Sequence, residues 1–213
     1  MAVQRKNLIY LSITLLLFGA GFGMAFLERV EKVSPGAYRG AYAALGAYRL
    51  THPEEVPRSL AVVDYSKPSW VKRMALIDLT TGKSSYYRVA HGKNSGELYA
   101  LRFSNTPESN MSSLGLFRSL GAFNGEHGKA IRLEGLDGEM NGNAFTRDIV
   151  LHAAGYTGAG TILWNLITFN GPRIGRSNGC FVVSNADIDE VADKLADGGF
   201  IYARSNYTVF IDK

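Results

Sequence analysis

Between Val71 and Ile211 the chain is punctuated into short strand-like runs, most of them bounded by Gly, Asn, Asp or Ser, and this restricts it to folds built from paired strands. VKRMALIDL and SSYYRVAH flank Thr80-Thr81-Gly82-Lys83, the pattern of a hairpin, and ELYALRF, KAIRLEG, DIVLH, CFVV, GFIYAR and YTVFI follow. Composition agrees. The 213 residues include 24 glycines, above the usual share of about 7%, with 11 Phe and 11 Tyr; glycine supplies turn geometry and aromatics fill sheet faces. The fold class expected is mainly β. One exception is SNADIDEVADKLADGG, where Ser184 and Asp187 form a capping-box pattern, Ile188, Val191 and Leu195 form an apolar stripe, and Gly198-Gly199 can close a helix. With 46% hydrophobic and 20% charged residues the chain is neither disordered nor a coiled coil, and its length suits one domain with an appendage.

That appendage is the N-terminus. Arg5 and Lys6 precede Leu8–Phe26, 19 residues without a charge, and Glu28-Arg29 follow at once. This is an export segment. Its length approaches the roughly 20 residues that span a bilayer, while Gly23-Met24-Ala25 is a passable cleavage site, so residues 1–33 read either as a signal peptide or as a signal-anchor helix. A buried core helix is disfavoured by the position and the basic flank, and no cysteine lies nearby for lipid attachment. The expected location is exported, periplasmic or in the cell envelope, with inner-membrane association through residues 8–26 in the case where that stretch is kept as an anchor. Residues 34–59 are expected to hold a short helix and a connector. Ser34-Pro35 is an N-cap followed by proline at the first helical position, Tyr38, Tyr42 and Leu45 recur at helical spacing, and His52-Pro53 ends the helix. Residues 60–213 form the main domain. The formal net charge is +4, of which +2 resides in the first 33 residues; no Lys/Arg run follows, which argues against a nucleic-acid partner.

An exported protein with one cysteine must bury that thiol or use it. Cys180 ends GRSNGC and precedes the strand-like FVV, so a turn enters a strand there, where backbone N–H groups can converge on one spot. From these residues alone an inert buried thiol and a nucleophile are equally good readings. A nucleophilic thiol needs a base or cation to become thiolate at neutral pH. His152 closes IVL and opens AAGYTGAG, at the rim of a sheet, with a core histidine bonded to a backbone carbonyl as the plainer reading. His91 in AHGKNSG has a similar position, with structural and cleft roles both open, while His52 and His127 lie in loops and are expected to be solvated. No histidine pair has zinc-ligand spacing, and no metal is expected.

LHAAGY followed by GRSNGC, with Cys180 28 residues beyond His152, resembles the His…Ser-x-Gly-Cys signature of the YkuD-type murein L,D-transpeptidases, in the murein L,D-transpeptidase catalytic domain branch. AHGKNSG, RFSNTPESNMSSLG and GEHGKAIRLEGLDGEMNGNAFTRDIVLH match that branch in order and approximate spacing, so that the resemblance covers about Leu60 to Phe200. Three departures stand out. Asn178 occupies a place often held by His, Phe181 one often held by Pro, and the span from His152 to Cys180 is longer than usual, carrying the insert TILWNLITF. The insert reads as a helix packed on the sheet or as a lid, with Leu163, Leu166 and Ile167 at helical spacing.

The resemblance implies a β-sandwich curled around a catalytic cleft, with a few peripheral helices and no cofactor. It implies that Cys180, activated by His152, attacks a peptidoglycan stem tetrapeptide, releases D-Ala and passes the acyl group to an amine. Ser177 is the implied orienter, and Gly179 and Asn178 belong to the implied oxyanion region. Arg176, Tyr156 and His91 are the substrate-binding candidates, with a salt bridge as the alternative for Arg176. A thiol made reactive well below its ordinary pKa follows from the pairing. The competing readings are an L,D-carboxypeptidase, an inactive peptidoglycan-binding protein, and an unrelated thiol peptidase. Papain-like peptidases place the cysteine before the histidine, so the order here argues against the last.

Overall fold

The computed structural model describes residues 32–126, 128–207 and the backbone of 209–210; the expected export segment and His127 lie outside the described residues. Helix α1 (Pro35–Thr51) begins as its residues dictate: Ser34 Oγ accepts from Ala37 N at 3.3 Å and Pro35 takes the first turn. Its buried stripe is Ala37, Ala41 and Leu45, while Tyr42 faces outward. The two alanines let the helix lie close against strands β1 (Ser59–Asp64), β5 (Gly115–Gly125) and β9 (Gly199–Arg204).

The expected hairpin forms from β2 (Met74–Asp78) and β3 (Ser84–Tyr87), and the later runs give β4 (Arg102–Phe103), β6 (Gly128–Gly135), β7 (Val150–Ala153), β8 (Phe181–Val183), β9 and β10 (Val209–Phe210). One eight-stranded sheet has the order β3-β2-β1-β9-β5-β6-β7-β8, and β4 pairs with β10 in a separate ribbon. The sheet curls until Ala90, just beyond β3, bridges to Val182 of β8, so the two edges nearly meet. The mainly β architecture with few helices is as expected.

Two strands are not evident from the runs. SLAVVD of β1 is buried throughout, with Ala61 and Val63 in the inner core and Leu60 and Val62 under α1. A strand covered on both faces shows no alternation to read. Strand β5 is interrupted by Gly121 at φ +101° and its register with β6 shifts between Ser119 and Ala122, a bulge that breaks the two-residue period.

The inner core centres on Phe181, which meets Phe117 edge-on at 5.2 Å and stacks on Tyr65 at 6.4 Å. Helix α3 (Ile188–Leu195) closes this core with Ile188, Val191, Ala192 and Leu195. Ser184 holds the preceding turn, donating to Asp187 Oδ2 at 2.6 Å, while Asp187 itself takes the cap position. The insert forms helix α2 (Ala159–Ile167), yet no side chain of it is buried, so the expected packing on the sheet is reduced to the partly buried Ile162. No helix among the described residues is long and apolar enough to cross a membrane.

Candidate active site

Strands β7 and β8 run parallel, with Leu151 opposite Phe181, His152 opposite Val182 and Ala153 opposite Val183. Side chains alternate along a strand, so the core residues Leu151, Ala153, Phe181 and Val183 share one face, and His152 and Cys180 project from the other. They are diagonal neighbours. Both line one cavity of about 650 Å³, within the range of ligand sites, together with Tyr156, Arg176, Ser177 and Asn178. Across it stand Phe123, Glu126 and Arg132, with the Arg132 guanidinium 4.8 Å over the Phe123 ring.

The turn carrying Cys180 is fixed by hydrogen bonds. Ser177 N donates to His91 O at 2.9 Å and Lys93 N to Ser177 O at 2.7 Å. Ser177 Oγ donates to Cys180 O at 2.7 Å and accepts from Gly179 N at 3.1 Å. The hydroxyl therefore shapes the turn, and the Gly179 N–H is already engaged. Gly179 has φ +123°, and a Cβ there would lie 2.8 Å from Met111 O, so only glycine fits. The Cys180 thiol donates to Asp148 O at 3.5 Å. Burial pushes the thiol pKa up, opposed by a backbone N–H of Val150 and by the charge of Arg147. This is opposite to the shift expected from the sequence, because the packed turn removes water that a thiolate needs.

His152 is nearly buried, and its Nδ1 lies 3.0 Å from Ala153 O. A carbonyl can only accept, so Nδ1 carries the proton and the neutral ring has its lone pair on Nε2. Tyr156 reaches the cavity because Gly175 admits its ring: a Cβ on Gly175 would lie 2.5 Å from Tyr156 Cδ2. Burial pushes the Tyr156 phenol up to about 12. Asn178 is exposed at the mouth.

Two candidates are placed differently. Arg176 is ion-paired with Glu97, which Arg173 also meets, so its guanidinium is committed within the protein although it borders the cavity. His91 does not reach the cavity. It is fully buried, its Nε2 donating to Gly96 O at 3.1 Å and its Nδ1 accepting from Arg73 Nη2 at 2.7 Å. Burial, reinforced by Arg73, lowers its pKa to about 3. His52 is stacked on Tyr48 at 4.1 Å rather than freely solvated. Among the described residues no group of three or more His, Cys, Asp or Glu side chains could hold a metal ion.

Sequence reading missed Arg132 and Asp148 in the wall and Arg147 behind the turn. Alternation along KAIRLEG, with Ile131 and Leu133 inward, is the signal that turns Arg132 outward; nothing local marks the other two.

No curated protein matches the chain. Solved structures that resemble it include an L,D-transpeptidase from Mycobacterium smegmatis, at 13% identity and a TM-score of 0.41 over 69% of this chain and 58% of that one. Another is L,D-transpeptidase 3 from Mycobacterium tuberculosis, at 11% identity and a TM-score of 0.43 over 70% and 61%. The chain thus spans about three fifths of the length of these proteins. The model of the L,D-transpeptidase catalytic domain matches residues 29–204, which takes in the whole sheet from β1 to β9 and both sides of the cavity, and the chain belongs to that family.

Proposed function

We propose that the protein is a peptidoglycan L,D-transpeptidase whose nucleophile is Cys180 and whose general base is His152. The observation that carries this reading is that these two side chains project from one face of the paired strands β7 and β8 into one cavity. The resting thiol is protonated. As sulfur attacks the carbonyl of the L-centre in a stem tetrapeptide, His152 Nε2 takes the thiol proton and returns it to the amine of the departing D-Ala, so the S–C bond forms while the C–N bond breaks. An amine of a second stem then attacks the thioester; its proton passes through His152 to the leaving sulfur. The Cys180 N–H is the favoured oxyanion donor, since Gly179 N is held by Ser177 Oγ. Tyr156 and Arg132 wall the substrate groove. The apolar stretch Leu8–Phe26 supports work outside the cytoplasmic membrane, with that stretch as signal or anchor.

Mass spectrometry of tetrapeptide muropeptides incubated with the protein tests this. The wild type is expected to release D-Ala and form cross-linked dimers, Cys180→Ala to do neither, and His152→Ala to lose about a hundredfold or more in rate. Release that survives in Cys180→Ala overturns the nucleophile. Hydrolysis without dimers makes the protein an L,D-carboxypeptidase, and binding without release makes it a peptidoglycan-binding protein.

A further inference from the structure

Arg147 is a half-buried cation without a counter-charge. Its Nη1 donates to Ser104 O at 2.7 Å and Ser113 Oγ at 2.6 Å, and its Nη2 to Met111 O at 2.7 Å and Ser109 Oγ at 3.1 Å. All four acceptors are neutral, and among the described residues no carboxylate forms an ion pair with it. A guanidinium withdrawn from water keeps its field less screened, so an anion that forms beside it is stabilised. Its position shows where. The point a Cβ on Gly179 would occupy lies 3.3 Å from Arg147 Nη2 and 2.8 Å from the Met111 oxygen that Nη2 holds. The guanidinium thus sits directly behind the turn that presents Cys180, and the next residue, Asp148, offers the carbonyl that the thiol meets.

We infer that Arg147 is the positioning cation of the nucleophile: its four-point anchorage braces the 104–113 loop behind the Cys180 turn and supplies the fixed positive charge that favours sulfur as thiolate during attack. This rests on Cys180 being the nucleophile. Burial lowers the Arg147 pKa and the field of Cys180 raises it, while burial raises that of the thiol; each is stabilised in charged form by the other.

Other charged or titratable groups face Cys180 too. From the β7 segment come the exposed Asp148 carboxylate, which opposes the thiolate, and His152; from the turn after it comes Tyr156. Tyr65 lies beneath, its phenol pushed up to about 12 by burial. Arg176 at the rim is ion-paired with Glu97, and Arg132 and Glu126 stand across the cavity. Arg147 differs in being rigidly held by neutral partners.

Cys180 is the only cysteine, so iodoacetamide alkylation read by mass reports it alone. Rates measured against pH in a His152→Ala background remove the imidazole's own titration. Replacing Arg147 by Gln is expected to raise the alkylation midpoint by about one pH unit, and Arg147→Lys, which keeps the charge, to hold it within about 0.3 unit. In the native background Arg147→Gln is expected to lower kcat for D-Ala release about tenfold, with KM within about twofold. An unchanged midpoint in a folded Arg147→Gln overturns the inference. If that variant does not fold, Arg147→Met, which removes the charge but keeps much of the packing, decides: a rise of about one unit supports the role and an unchanged midpoint overturns it. D-Ala release persisting in Cys180→Ala would instead remove the reading beneath it, whatever Arg147 does.

Discussion

The layer under the Cys180 turn and the helix beside it invert the usual relation between polarity and burial. Arg73, His91 and Ser95 are fully buried, whereas Leu163, Trp164, Leu166 and Ile167 of α2 and the following Phe169 are 54–97% exposed. Hydrogen bonding explains the first. Arg73 donates to Val89 O, Lys67 O and His91 Nδ1 and lies 4.9 Å over the Tyr65 ring; His91 passes the chain on to Gly96 O, and Ser95 Oγ accepts from Ser112 N. Polar groups enter a core when every donor and acceptor is met. Position explains the second. Helix α2 leaves the rim of the sheet after β7, so only Ile162 among its apolar side chains meets the cluster around Ala90, Ile174 and Val182. Apolarity alone does not bury a helix; a facing surface does.

The sharpest way to break this contrast is in the sealed layer. Arg73→Leu would leave His91 Nδ1 and the Val89 carbonyl unmatched, and is expected to lower stability by about 3 kcal/mol or more in urea titrations. Next in size is an acid response. Because the folded His91 pKa is lowered to about 3 against about 6.5 unfolded, the folded ring stays neutral while the unfolded one gains a proton. The contribution is present above pH 6.5 and lost as pH falls toward 3, by up to about 1.4 kcal/mol per unit. His91→Gln keeps one donor and one acceptor, so wild type minus variant stability should decline with that slope between pH 6.5 and 4.5; a flat difference would contradict a neutral buried ring. Smallest of all, Leu163→Ser or Trp164→Ser in α2 should move the urea midpoint by no more than about 0.5 kcal/mol equivalent. A larger loss would mean that α2 is packed after all.

Much of the site was legible because its parts are local. Ser177, Gly179 and Cys180 lie within one turn, where a glycine between a polar residue and an apolar run signals an unusual backbone, and His152 ends a strand. Roles that depend on distant partners were not legible. His91 and His152 have similar surroundings in sequence, both between a short strand and a Gly-rich loop, yet Arg73, 18 residues before His91, draws that ring into the core. Arg176 is likewise committed by Glu97, 79 residues away. The thiol's upward shift depends on how tightly the turn is covered, and strands β1 and β5 hide their period through two-sided burial and a bulge.

By itself the sequence determined a strand-rich domain with an apolar N-terminal stretch, a glycine-shaped cysteine turn and a histidine at a strand end, since turn chemistry and residue type act over a few residues. Only the tertiary structure decided that Leu151 pairs with Phe181, which sets His152 and Cys180 on one face and Arg147 behind them. Moving that register by one residue would turn one of the pair into the core, and register is set by pairing across the sheet, which no local period encodes.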